Sequence, residues 1–303
     1  MTSPSDWASL QGQLECAACL YGADGAHRVA AWFTQEEGRV DDPDFARLFS
    51  DHISLPGIVP LDFAHRHVNT RKGSLIGGIR FYGQDVARPF VEVIAHDFED
   101  VQALAQVVAG EWRAFAPQRL RLQVTPGTPL PQAAALDMSL YAARYRDLCA
   151  PSQQVQLGAF DTAEQAMDLV EQRFEVMAQQ DPNLRRNVSP ITTDALNEMW
   201  QAGQVHKITA AGQGTVGLIA IAPGQIGWVE GDEVIEEVVA IDHAGHGYAA
   251  AAQYALSAVN SHKLHTYLIG TIDGLNVASR RSAERVGRKR IMDYAFLPLD
   301  LSP

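Results

Sequence analysis

The residues best suited to chemistry stand together at 241–249, reading Ile-Asp-His-Ala-Gly-His-Gly-Tyr-Ala. Gly245 and Gly247 follow an apolar segment with the pattern of a strand and precede an Ala-rich segment with the pattern of a helix. Glycines in such a turn let successive backbone N–H groups point outward with no Cβ in the way. The helix N-terminus behind them adds roughly half a positive charge. Together they predict a cradle for a diphosphate that needs almost no side-chain charge. Other phosphate motifs are excluded. No Lys-Ser/Thr follows the glycines as a P-loop requires, and no third glycine stands at dinucleotide-fold spacing.

Two further groups lie close in sequence. Glu236 and Glu237 fall in the strand ahead of the turn, with Glu233 three residues earlier. Neighbours on a strand face opposite sides, so one carboxylate of the pair faces a ligand as a general base, with Glu237 preferred, and the other does not. Downstream, Asn276, Ser279, Ala283, Glu284 and Gly287 punctuate a helix whose end is strongly basic. Six basic residues fall between Arg280 and Arg290, with Arg280 and Arg281 nearest the turn in sequence.

The segment Asn276-x-x-Ser279, with Ala283-Glu284 and Gly287 behind it, resembles the Asn-x-x-Ser…Ala-Glu-x-x-Gly motif of GNAT-superfamily acyltransferases. The glycine turn is similar to their Arg/Gln-x-x-Gly-x-Gly/Ala motif, with Ala244, Gly247 and Ala249 at the three positions. The resemblance covers residues 155–297. It implies that the cofactor is acetyl-CoA, with Ala244, Gly245, His246, Gly247, Tyr248 and Ala249 holding its pyrophosphate. Backbone groups of Val239, Ala240 and Ile241 would accompany the pantetheine arm, which requires this strand to splay from the one starting near 266. Asn276 would bond the pantetheine, Ser279 would sit near the phosphates, and Arg280 and Arg281 are the best placed to meet the 3′-phosphate. The implied reaction is N-acetyl transfer to the amine of a small molecule by direct attack. A backbone N–H of Val239 or Ala240 would steady the oxyanion.

The chain departs from the family twice. Ala244 replaces the usual Arg or Gln, and Ala283 stands where many members carry a general-acid Tyr. Tyr294, on the last strand, is the expected substitute, with Tyr267 as a second. These departures keep two other readings open: a non-catalytic acyl-CoA-binding or regulatory module, and a Fem-type aminoacyl transferase.

Positioning these residues requires a mixed α/β fold. In the second half, a strand at 155–160 precedes a helix from 161 to about 180, capped by Asp161 or Thr162, and another helix starting at 192–194. Strands follow at 205–211, 215–222, 225–230 and 233–242. A helix at 247–260, a strand at 266–272, a helix at 276–286 and a strand at 291–297 complete the order. The first half repeats this order more weakly. Helices at 27–33 and 44–49 lead to strands at 63–70, 74–82 and 89–95, a helix at 101–114 and strands at 120–124 and 138–146. The expected organisation is two tandem GNAT-like domains of α/β (α+β mixed-sheet) class. The degenerate copy spans 1–150 and the acyl-CoA-binding copy 151–303, similar in arrangement to mycothiol synthase. In the first half, Ala95-His-Asp-Phe-Glu-Asp100 replaces the glycine turn. Three carboxylates there would repel a pyrophosphate, so that half is expected to bind no coenzyme A.

Composition narrows the partners. The formal charge of −12 over 303 residues argues against nucleic-acid binding. The longest apolar runs fall well short of the roughly 20 residues that cross a bilayer, so no membrane contact and a cytoplasmic location are expected. Three cysteines build no disulfide framework and no zinc site, and buried reduced thiols are the expected state.

Overall fold

The computed structural model describes residues 2–299. Helices α1 (Gln11–Tyr21), α2 (Gly25–Glu37) and α3 (Pro43–Ser50) precede strands β1 (Arg66–Thr70), β2 (Gly73–Phe81) and β3 (Pro89–His96). Helix α4 (Val101–Glu111) leads to β4 (Arg119–Val124) and β5 (Ala135–Arg144). The second half runs through β6 (Gln156–Gly158), α5 (Ala163–Gln180), α6 (Pro182–Asn187) and α7 (Thr193–Gln201). Strands β7 (Val205–Ala210), β8 (Gly214–Ile226) and β9 (Val229–Val239) follow, then α8 (Tyr248–Val259), β10 (Tyr267–Asp273), α9 (Val277–Arg285) and β11 (Lys289–Pro298).

The chain forms two compact units. Unit 1 holds the residues up to Met138 together with those from Met292 on, and unit 2 holds Ser139–Ile291. Their strand orders are β1-β2-β3-β4-β11 and β5-β10-β9-β8-β7-β6. This division differs from boundaries at 150 and 151. The last strand of each sequence half belongs mainly to the other half's unit. In unit 1, β11 runs antiparallel to β4 from Asp293 opposite Val124 to Pro298 opposite Arg119. In unit 2, most of β5 lies beside β10. Each exchanged strand continues the ladder at a position where an unpaired edge would otherwise present bare N–H and C=O groups.

The core of unit 1 gathers Leu75, Ile79, Val91 and Val93 from its strands with Leu104, Val108 and Trp112 around α4. In unit 2, helices cover both faces of the sheet. Phe174 and Met177 of α5 pack with Leu196 of α7 on Leu218, Ala220 and Val238. Ala250, Ala252 and Leu256 of α8 pack on Val216, Ile219 and Leu268. Full burial of a side chain such as Leu218 or Phe174 contributes about 1.5–3 kcal/mol each. Thr162 caps α5 by accepting from Gln165 N at 3.4 Å, and Thr192 caps α7 by accepting from Ala195 N at 3.3 Å.

One detail of β8 and β9 corrects the sequence expectations, and two more set how the strands pair. A hairpin closes at Gly227, whose φ is +60°, so 225–230 is the paired tip of two long strands joined by the turn at 227–228 rather than a strand of its own. Gly224 pairs with Gly231 inside the ladder, where a Cβ would meet Glu233 Oε2 at 2.6 Å. The register breaks between Ala220 and Ile221, which leaves Ile235 as an extra residue on β9.

Strands β9 and β10 pair in parallel only at Asp232–Leu268 and Glu233–Ile269 and separate beyond that point. A buried cluster fixes the vertex. The Tyr145 hydroxyl donates to Asp232 Oδ2 at 2.7 Å, and Lys263 Nζ lies 2.8 Å from the same oxygen.

The cysteines differ from expectation. Cys16 is half-buried, while Cys19 and Cys149 are exposed. No helix among the described residues is long and apolar enough to cross a membrane.

Candidate active site

The glycine turn folds as its composition predicts. Gly245 has φ +82° and Gly247 +85°, the left-handed region that favours glycine. Gly247 occupies the N-cap position of α8, and no side chain caps that helix. The first bond into the helix is Ala251 N to Gly247 O at 3.1 Å. The N–H groups of Gly245, His246, Gly247, Tyr248 and Ala249 therefore have no hydrogen-bond partner among the described residues. Five successive donors at a helix N-terminus form an anion-binding turn.

Four of the five residues that carry these donors, Gly245, Gly247, Tyr248 and Ala249, line a cavity of about 480 Å³ within unit 2. The separation of β9 from β10 forms its middle, lined by Val234–Val239 on one strand and Gly270–Asp273 on the other. Residues from both faces of the sheet contribute. Gly245, Gly247 and Tyr248 line one side with Arg281 and Arg285 of α9, and Arg173, Phe174 and Met177 of α5 line the other with Ser189. A Cβ on Gly247 would stand 3.1 Å from Arg285 Nη1, so that guanidinium lies directly over the turn.

The structure parts the two glutamates. Glu237 pairs with Ile219, whose side chain belongs to the α8 face, and Glu236 pairs with Ala220, which belongs to the α5 face. Both Glu237 oxygens accept from Gln253 Nε2, at 2.9 and 3.0 Å. Gln253 Oε1 in turn accepts from Arg288 Nη1 at 3.3 Å. Burial raises the Glu237 pKa, opposed by the Gln253 bond and the Arg288 charge. Glu236 accepts from Ile191 N at 3.1 Å and from Glu237 N at 3.2 Å. Burial raises its pKa too, opposed by those two N–H groups and reinforced by the Glu237 charge.

Backbone pairing separates Val239 from Ala240. The Ala240 N–H donates to Val216 O at 2.9 Å, and its C=O accepts from His243 N at 2.9 Å. Both of its backbone groups are engaged. Antiparallel alternation turns the Val239 N–H to the opposite edge, toward the separation of the strands.

Of the residues expected to bind cofactor, Val239, Ala244, Gly245, Gly247, Tyr248, Ala249, Asn276 and Ser279 line the cavity. Ala240, Ile241, His246 and Arg280 do not. Ile241 begins a short 3-10 turn, which carries it out of the strand's line. The His246 ring stacks on Tyr248 at 5.9 Å between centroids, outside the lining. On α9, Ala278, Arg281, Ser282 and Arg285 share the cavity face, and helical twist carries Arg280 away from it. Asn276 also caps α9, its Oδ1 accepting from Ser279 N at 3.1 Å.

Neither tyrosine expected as an acid lines the cavity. Tyr294 is buried in unit 1, its ring centroid 5.2 Å from the Arg121 guanidinium. Burial, with Glu92 as the nearest charge influence, raises its pKa. Tyr267 is buried with Arg144 over its ring, and Glu233 lies outside the cavity as well. Ala283, at the family's tyrosine position, is fully buried against Tyr141 and Ile272. Tyr294→Phe is therefore expected to leave both coenzyme A affinity and turnover unchanged, measured by calorimetry and thiol release.

Unit 1 arranges the same order of elements differently. Strands β3 and β4 pair at four positions, from Phe90–Arg119 to Val93–Leu122. Asp100 caps α4 by accepting from Gln102 N at 2.9 Å, and Asp97 Oδ1 accepts from Ser74 N at 2.5 Å. The helix N-terminus that is open in α8 is closed by a carboxylate in α4.

No protein-family model matches the chain, and no curated protein does. Solved structures similar to it include a GCN5-related N-acetyltransferase from Sphaerobacter thermophilus at 12% identity, covering 98% of this chain and 94% of that one, with a TM-score of 0.48. A GNAT-family acetyltransferase from Colwellia psychrerythraea is similar at 11% identity, covering 88% and 96%, with a TM-score of 0.46. A tandem GNAT protein from the clavulanic acid biosynthesis pathway is similar at 12% identity, covering 100% and 98%, with a TM-score of 0.44. These are likenesses of overall fold at low identity, and none bears on the chemistry of the cavity.

Proposed function

We propose that unit 2 is a GNAT-type N-acyltransferase that takes an acyl group from acetyl-CoA to a small-molecule amine. The observation that carries this reading is the continuity of one cavity. It runs from the unpartnered N–H groups of the glycine turn, through separated strands, to the half-buried carboxylate of Glu236. The residues fit coenzyme A by their chemistry. The turn at Gly245–Ala249 offers donors and positive dipole to a diphosphate, and Arg281 and Arg285 add charge beside it. The edge of β9 freed from β10 offers backbone groups to an extended amide chain, as an exposed strand edge does to an added peptide. When bound, the cofactor supplies an activated acyl thioester.

The chain's own residues do the rest. Glu236 faces α5 and the loop after α6, and it takes the proton that an acceptor ammonium must lose. Two backbone N–H groups hold its carboxylate in place, and burial lifts its affinity for a proton toward the range useful in a base. Glu237, tied to Gln253 on the α8 side, is assigned to tuning rather than to proton transfer. The Val239 N–H is the backbone donor available on the open edge of β9. We assign no coenzyme A to unit 1, in keeping with its capped α4 and its longer β3–β4 pairing.

Thiol release from acetyl-CoA, followed with a thiol reagent over a panel of primary amines, tests the reading. Amine-dependent release is the expected result. Coenzyme A binding without release for any amine would instead favour a binding module.

A further inference from the structure

On the α5 side of the cavity, Arg173 lines the wall one helical turn before Met177 and beside Phe174 and Ser189. It is half-buried, and no hydrogen bond or ion pair holds its guanidinium among the described residues. The half-buried Arg185, by contrast, donates to Val188 O at 3.0 Å, and the buried Arg288 donates to Gln253 and Tyr141. A guanidinium carries its charge at every accessible pH, and its planar fork matches a carboxylate. Glu236 lies on the same face of the sheet, and Val188 and Met177 add apolar surface to this part of the cavity. A cavity wall that carries a guanidinium and a carboxylate on one face, with apolar side chains beside them, complements a molecule with the opposite charges at its ends.

We propose that the acceptor is an amine that also carries a carboxylate, with its nitrogen presented to Glu236 and its carboxylate held by Arg173. This rests on the acyl-transfer reading above and names the substrate class for the same cavity. A simple alkylamine would leave the guanidinium facing hydrocarbon, whereas an amino acid pairs both charges. Arg173 then selects the acceptor and has no part in the proton transfer.

The test uses the full chain and matched pairs: glycine, β-alanine, 4-aminobutyrate, 6-aminohexanoate and lysine, each against its carboxamide. At least one acid is expected to exceed its amide by about tenfold or more in kcat/KM, the scale of one charge-assisted hydrogen bond. Arg173→Gln is expected to remove that preference while sparing coenzyme A affinity, and Arg173→Lys to keep part of it. Amides that match or exceed the acids throughout would overturn the proposal. So would an Arg173→Gln chain that slows acids and amides by the same factor. Calorimetric titration of the same acids into the chain saturated with coenzyme A reads acceptor binding without turnover. Binding weakened by Arg173→Gln supports the proposal, and no binding of any acid sinks it. Failure to bind coenzyme A at all would instead mark failure of the underlying reading.

Discussion

Gly247→Glu is expected to lower coenzyme A affinity by about a hundredfold or more, with the chain still folded. Three effects act together. Gly247 sits at φ +85°, where a residue with a Cβ is strained by about 1–2 kcal/mol. The new Cβ would stand 3.1 Å from Arg285 Nη1 and displace a guanidinium that lines the cavity. The added carboxylate would bring negative charge to the donors meant for the diphosphate, at a cost of about 4 kcal/mol for a unit charge at 4 Å in a partly screened site. Gly245→Ala provides the contrast. Gly245 has a similar φ of +82°, but nothing lies within 4 Å of a Cβ there. Its loss is expected to stay below about tenfold, the size of the strain alone. Calorimetry on both variants, with thermal melts to show that each remains folded, checks the pair. Equal effects of the two substitutions would remove the role assigned to Arg285 and to the charge.

Glu236→Gln is expected to lower kcat by about 10²–10⁴, the usual contribution of a general base, with coenzyme A affinity unchanged. The pH profile separates the two glutamates. A carboxylate whose pKa is raised loses its proton at higher pH than usual, so kcat/KM should fall as pH drops through a value above the ordinary carboxylate range. The Glu237 charge is one of the causes holding the Glu236 pKa up. Removing it by Glu237→Gln lowers the Glu236 pKa, and the acid limb should move to lower pH while the plateau changes much less. If Glu237→Gln stops turnover and Glu236→Gln does not, the assignments are reversed. Initial rates across the acid range for the three proteins decide it.

Local spacing made much of the site legible. The glycine turn needs φ values open to glycine and a helix to follow, and both requirements are written in five residues. The motif from Asn276 to Gly287 likewise places α9 beside the turn. On that helix the sequence pointed to Arg280 and Arg281, whereas helical geometry faces Arg281 and Arg285 to the cavity, four residues apart on one stripe. That periodicity is present in the sequence and would have found Arg285. The choice between Glu236 and Glu237 was not legible. It depends on the register of β9 with β8, which is shifted by a bulge at Ile235 that no residue type announces. Ala240 was lost for a related reason, because ladder parity decides which N–H groups remain open. Tyr294 was misplaced because the exchange of β5 and β11 is a long-range pairing choice, and an apolar aromatic strand carries no label for the sheet it joins. Arg173 and Arg288 carry no local motif. Only the packing that buries them makes them functional candidates.

A calorimetric comparison of coenzyme A with pantetheine on the unaltered chain tests most directly whether the amide hydrogens ahead of α8 hold a diphosphate. One coenzyme A site per chain, and pantetheine binding weaker by about a hundredfold or more, is the expected result. No heat with coenzyme A, or equal affinity for the two compounds, would contradict it.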